Sequence, residues 1–144
     1  MRLKHRHVAS KRRGAAMVET AIALSIFVLL LLAMIEITRL GMASQLLTHA
    51  AREGCRVAVI DGKVKTDVDS TVRGILNGGG ITTYTSAIAT GSSPATTDIT
   101  NTVLGDSITL TLTVRFSNVG WLSTPLFLGS ASISTSATMS SERP

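Results

Sequence analysis

A single cysteine, Cys55, stands in a chain of 144 residues, so an internal disulfide is excluded. Its neighbours Ala50, Ala51, Gly54 and Ala58 are small, which suits a packing residue; an intermolecular disulfide outside the cytoplasm is the alternative. Acidic residues are absent from residues 1–14, where six of the fourteen lysines and arginines lie: Arg2, Lys4, Arg6, Lys11, Arg12 and Arg13. Without that segment the formal net charge of +5 becomes −1, from eight cations against nine anions. The basic character therefore belongs to a leader and does not indicate a nucleic-acid partner. Charge of either sign is absent from Thr20 to Ile35, and Ala15 to Ile35 contains Glu19 alone. Also missing are a nucleophile elbow, a phosphate loop, zinc-ligand spacing and a dinucleotide fingerprint, so neither an enzyme nor a cofactor is indicated.

What is present begins with that uncharged run. At 1.5 Å per residue, Ala15 to Ile35 covers about 31 Å as a helix, the thickness of a hydrocarbon core. The run predicts a membrane-spanning helix in membrane lipid, with the basic leader in the cytoplasm and the C-terminal part outside. Glu36 and Arg39 form an i, i+3 pair of opposite sign suited to the outer interface. Leu40, Ala43, Leu47, Ala50, Gly54 and Val57 then recur at spacings of three and four, with Gln45, His49, Arg52 and Arg56 opposite them. One helix of two characters is expected, amphipathic to about Ile60 and stopped by Asp61-Gly62. At roughly 45 residues it is too long for so small a globular domain. It must project, or pack against copies of itself or partners.

The region beyond Asp61 is large enough for one small core. Thr66 is an N-cap candidate with Asp67 and Asp69 in the first turn, predicting a second, short helix that docks on a sheet. Its apolar face is Val68, Val72, Ile75 and Leu76, and Asn77-Gly78-Gly79-Gly80 ends it. Ser107 to Phe116 alternates as a strand, with Ile108, Leu110, Leu112, Val114 and Phe116 inward. Ala131 to Met139 alternates too, Ile81 to Ala89 is a weaker strand, and Thr90 to Asn101 reads as a loop. In Val119 to Leu128, Trp121 and its apolar neighbours are expected to cover the sheet, with one helical turn starting at Thr124-Pro125. His5 and His7 lack further metal ligands, His49 lies on a polar helix face, and Asp67-Val68-Asp69-Ser70 lacks the glycine and glutamate of a calcium loop.

Glu19 is the oddity, since a carboxylate in a membrane helix needs a partner. On one reading it reaches water near the cytoplasmic interface or pairs with Arg12 or Arg13. On the other, the chain is cut between Gly14 and Ala15, and the new α-amino group lies four residues from Glu19. In an apolar bundle such a pair fixes axial register, because a slip leaves two unpaired charges.

Gly14, then Ala15, with Glu19 at the fifth position after the glycine and an apolar run following, resembles the prepilin-peptidase site of type IV pilins and pseudopilins. Within that group the stretch Arg12-Arg13-Gly14-Ala15-Ala16-Met17-Val18-Glu19-Thr20-Ala21 resembles the opening of TadE-like pseudopilins of tight-adherence (Flp) pilus systems. Ala50-Ala51-Arg52-Glu53-Gly54-Cys55-Arg56-Val57-Ala58 is similar to the end of that family's first helix, and Ser134 to Glu142 to its last strand. Cys55 and the Ser140-Ser141-Glu142 ending depart a little from the common pattern. The resemblance implies a pilin-like α+β fold: a long N-terminal helix, membrane-spanning then amphipathic, a short helix and a small antiparallel sheet of about three strands. It implies a leader over 1–14 recognised through Lys11, Arg12 and Arg13, an assembly helix over 15–60 and an extracytoplasmic domain over 61–144. The implied partners are a prepilin peptidase, other pilins or pseudopilins and the inner-membrane pilus platform, at the bacterial inner membrane. Two other readings stand beside it. One is a secreted domain cut near Gly41-Met42-Ala43; the other is an uncleaved single-pass protein that binds a partner through the Trp121 segment.

Overall fold

The computed structural model describes residues 8–91, 99–100, 102–119 and 130–143, with side chains from Gly14 onward. The expected Trp121 cover and the turn at Thr124-Pro125 lie outside the described residues. Two compact units emerge, Met1–Ile35 and Glu36–Pro144. The elements are α1 (Val8–Val59), α2 (Lys65–Gly78), β1 (Thr85–Thr90), β2 (Ser107–Arg115), a 3-10 turn over Phe116–Asn118, and β3 (Ser132–Ser140). This is the α+β arrangement anticipated, with three antiparallel strands in the order β1-β2-β3. Helix α1 begins earlier than the membrane run alone predicts. Lysine and arginine are good helix formers, and one interior glycine, Gly14, costs only about 1 kcal/mol.

The described part of the first unit is a single stretch of helix whose apolar side chains, from Met17 to Ile35, are largely exposed within the protein. The second unit holds the core. Ala43, Leu47, Ala50, Ala51, Cys55 and Ala58 of α1 are buried, while Gln45, His49, Arg52 and Arg56 remain exposed, as their spacing predicts. The amphipathic stripe does not wait for a partner molecule: it packs in one cluster with Val68, Val72 and Leu76 of α2 and Ile108, Leu110, Leu112 and Val114 of β2. Each fully buried aliphatic side chain contributes about 1.5–3 kcal/mol to this packing. Glu36 is 7% exposed rather than facing water at an interface; it is the first residue of the second unit and its surroundings are protein.

Helix α2 departs from its expected start by two residues. Val64 occupies the N-cap, and its backbone N–H donates to Asp67 Oδ2 at 3.2 Å, so Asp67 rather than Thr66 supplies the cap. The glycine run ends the helix as predicted, through a Schellman motif. Gly80 takes φ +80°, its N–H donates to Asn77 O, and Ile81 N–H donates to Leu76 O at 2.9 Å. Ile81 therefore belongs to this cap, and β1 starts only at Thr85. Strand β2 pairs Leu110 with Ile88 of β1 and Ala137 of β3, keeping every inward residue on the helix-covered face. Threonines and serines take the opposite face, with Thr109 and Thr138 hydroxyls 2.8 Å apart. Ile99, inside the stretch read as a loop, is fully buried.

A tight joint lies at Gly54. A β-carbon there would lie 2.6 Å from Leu110 Cδ2 and 2.7 Å from Val72 Cγ2, so α1, α2 and β2 meet where one side chain is missing. Gly41, on the same helix, has nothing within 4 Å of such a carbon. Gly54→Ala is expected to lower stability by about 1–3 kcal/mol through overpacking, whereas Gly41→Ala raises it by up to about 1 kcal/mol through helix propensity. Thermal unfolding of both variants in the same detergent distinguishes these opposite signs.

Candidate functional site: the N-terminal helix

Gly14, Ala15 and Glu19 all lie within α1, and Lys11, Arg12 and Arg13 belong to its first turns, their side chains outside the described set. Gly14 is exposed and a β-carbon there would meet no atom within 4 Å, so packing does not require this glycine. Between Ala15 and Ile35 three side chains are polar: Glu19, Thr20 and Ser25. Thr20 Oγ1 donates to Ala16 O at 2.8 Å, and Ser25 Oγ donates to Ala21 O at 2.9 Å. These back-bonds satisfy both hydroxyls inside their own helix, as lipid requires. The Glu19 carboxylate is exposed and has no polar partner among the described residues. It is thus the one polar side chain of the apolar run that finds no partner among the described residues.

Next to Glu19, Ala16, Thr20 and Ala21 form a shallow hollow of about 390 Å³ edged by Met17 and Leu24. Small residues on a lipid-facing helix let a second backbone approach closely. From Gly14 on, α1 is long and apolar enough to cross a membrane, and it is the one such helix among the described residues.

The other residues singled out in the sequence do not gather into a site. His49 is exposed, Asp67 caps α2, and no group of three His, Cys, Asp or Glu side chains is placed to hold a metal among the described residues. Cys55 is fully buried, and its thiol donates to Ile108 O at 3.3 Å. A residue that sequence reasoning passed over is Arg143. It is 4% exposed, and its guanidinium donates from Nη2 to Ala58 O at 3.1 Å and to Lys63 O at 2.7 Å. Glu142 N–H donates to Val59 O beside it. The chain's end thereby occupies carbonyls that the last turn of α1 leaves open. An arginine in a short polar tail carries no periodicity, so nothing local marks it.

Burial pushes the Cys55 thiol up from its ordinary range, partly offset by backbone hydrogen bonds from Leu110 and Met139. An unfolded chain loses this proton first, so the contribution of Cys55 to stability is complete below a pH of about 8.5 and falls as the pH rises above it. Alkylation with iodoacetamide at pH 8 is expected to be negligible in the folded protein and complete in denaturant. Rapid labelling of the folded chain would contradict the buried position.

No curated protein and no solved structure shows a significant match to this chain. Residues 14–56, the helix from the glycine of the candidate cut to the last turn before the second helix, match the family model described as TadE-like protein. Over that stretch the chain is similar to the TadE-like family, the pilus-associated proteins whose opening it resembles.

Proposed function

We propose that this protein is a minor pseudopilin of a tight-adherence (Flp) pilus system. On this reading it is cut by a prepilin peptidase between Gly14 and Ala15 and assembled through its N-terminal helix. The observation that carries the reading is Glu19: a carboxylate without a polar partner among the described residues, on an uncharged helix that begins its family match at Gly14. Cutting supplies that partner, an α-amino group four residues away on the same chain or at the terminus of a neighbour. Lys11, Arg12 and Arg13 present the leader to the peptidase on the cytoplasmic side, and the second unit lies outside the inner membrane. The hollow beside Glu19 suits close packing with another pilin or pseudopilin helix or with the pilus platform.

The role is minor, priming or at the tip, on steric grounds. A mature chain of 130 residues, carrying a unit with a three-stranded sheet, is bulky beside a filament subunit that is little more than a helix. Release of a secreted domain near Ala43 fits poorly, because Ala43 is 3% exposed in mid-helix and belongs to the core of the second unit.

Mass spectrometry of the protein from its native membrane is expected to find Ala15 as the mature N-terminus. Gly14→Val should leave the precursor uncut; a chain that keeps Met1 in the presence of its peptidase would sink the proposal. Glu19→Ala is a separate test, since cutting should proceed while pilus yield falls at least tenfold. Normal pili from Glu19→Ala cells would remove the assembly role of the carboxylate and leave the processing step standing.

A further inference from the structure

We propose that the polar groove between α2 and the start of β1 binds a neutral, hydroxyl-rich ligand, a sugar ring of a glycan. The inference concerns the second unit alone and holds whether or not the chain is cut. The groove is open on one side, encloses about 490 Å³ and is lined by Asp69, Arg73, Asn77, Thr83, Tyr84 and Ser86, among others. That volume is in the range of small-ligand sites.

The fold builds this groove by a division of α2 between two faces. Val68, Val72 and Leu76 are buried against the core, while Asp69, Arg73 and Asn77, at i, i+4 and i+8, form a polar row beside them. Opposite that row stands the extended segment that leads from the Schellman cap into β1. Ser86 Oγ donates to Asp69 Oδ1 at 3.4 Å and ties the two walls together. The side chains of Arg73 and Asn77 have no hydrogen-bond or ion-pair partner among the described residues. They line the groove with donors and acceptors that meet no partner among the described residues.

The combination selects the ligand. Asp69 disfavours a phosphate or carboxylate, and Arg73 disfavours an amine, so neither sign of charge is preferred. A carboxylate accepts, a guanidinium donates through a rigid fork, and a carboxamide does both. Vicinal hydroxyls, each donor and acceptor at fixed spacing, match that set in pairs. Tyr84, the chain's one tyrosine, is half-buried at the groove and offers an apolar ring face with a polar tip. A sugar ring carries hydroxyls at its edge and C–H groups on its face, and needs both kinds of contact.

The test uses the full-length chain in a phosphocholine detergent free of sugar headgroups. Saturation-transfer NMR is run with methyl glycosides of glucose, galactose, mannose and N-acetylglucosamine. At least one glycoside should bind with a Kd near or below about 1 mM, and Arg73→Gln and Asp69→Asn should each weaken it by roughly tenfold. Tyr84→Phe should keep the affinity and Tyr84→Ala lose it. Arg73 is exposed, so its variant carries the test if Asp69→Asn fails to fold. Absence of binding by all four glycosides at about 10 mM, binding unchanged by Arg73→Gln, or displacement of the sugar by equimolar inorganic phosphate would each overturn the proposal.

Discussion

The second unit depends on one close approach. Helix α1 can lie on the sheet and against α2 at the same point only because residue 54 has no side chain there. The flanking positions are small for the same reason: Ala50, Ala51, Cys55 and Ala58 are each 0–1% exposed. Ridges of alanine and glycine let the helix axis come closer to the sheet than leucine would allow. Larger side chains from the other partners, Leu110 and Val72, then fill the space. Cys55 fits this scheme as a residue slightly larger than alanine, whose thiol finds a carbonyl, Ile108 O, that β2 turns toward the helix.

A helix held so firmly along its side still has an end to satisfy. In its last turn Val59 O accepts from the N–H of Glu142, which lies well beyond the Asp61-Gly62 stop. The covering group arrives from eighty-five residues downstream, where Arg143 reaches Ala58 O. Ser141 supports the same bend through backbone bonds to Gly105 and Asp106, which anchor the chain just beyond β3. The tail just beyond β3 is thus the place where this chain closes its own helix. The positive guanidinium also lies at the negative end of the helix dipole, which adds to the hydrogen bonds.

Much of this was legible because it is periodic. The alternation from Ile108 to Phe116 and the three-four spacing from Ala43 to Gly54 each name a buried face, and each face is where the spacing puts it. What remained hidden is non-periodic. Ile99 sits among loop residues, and a single apolar side chain between threonines, Asp98 and Asn101 does not reveal that the core takes it. The partner of the amphipathic stripe was hidden too, because spacing shows that a face must be covered and not by what. The length of the helix pointed to projection or to packing against copies of the chain or partners; α2 and the sheet cover the stripe instead. For the candidate site the position is reversed. Gly14 and Glu19 are plain in the sequence, and the structure adds that Gly14 has no packing duty and that Thr20 and Ser25 satisfy themselves.

That last point sharpens the physical argument for Glu19. In the uncut chain α1 already begins at Val8, so Gly14 to Glu19 lie inside a helix whose N–H groups are bonded to preceding carbonyls. Glu19 there faces no helix end. On the proposed cut Ala15 becomes the first residue. The N–H groups of Ala16 to Val18 then lose their partners, and the nitrogen of Ala15 becomes a charged amine beside them. Helical side chains lean toward the N-terminus, so the carboxylate of Glu19 tilts toward this new positive end. One hydrolysis would therefore convert a carboxylate with no partner among the described residues into one beside an amine and the positive end of a helix dipole. The energy of that contact is largest in lipid, where neither charge has water as an alternative. An uncut neighbour offers no such end, so the carboxylate would discriminate mature chains from precursors at the step of assembly.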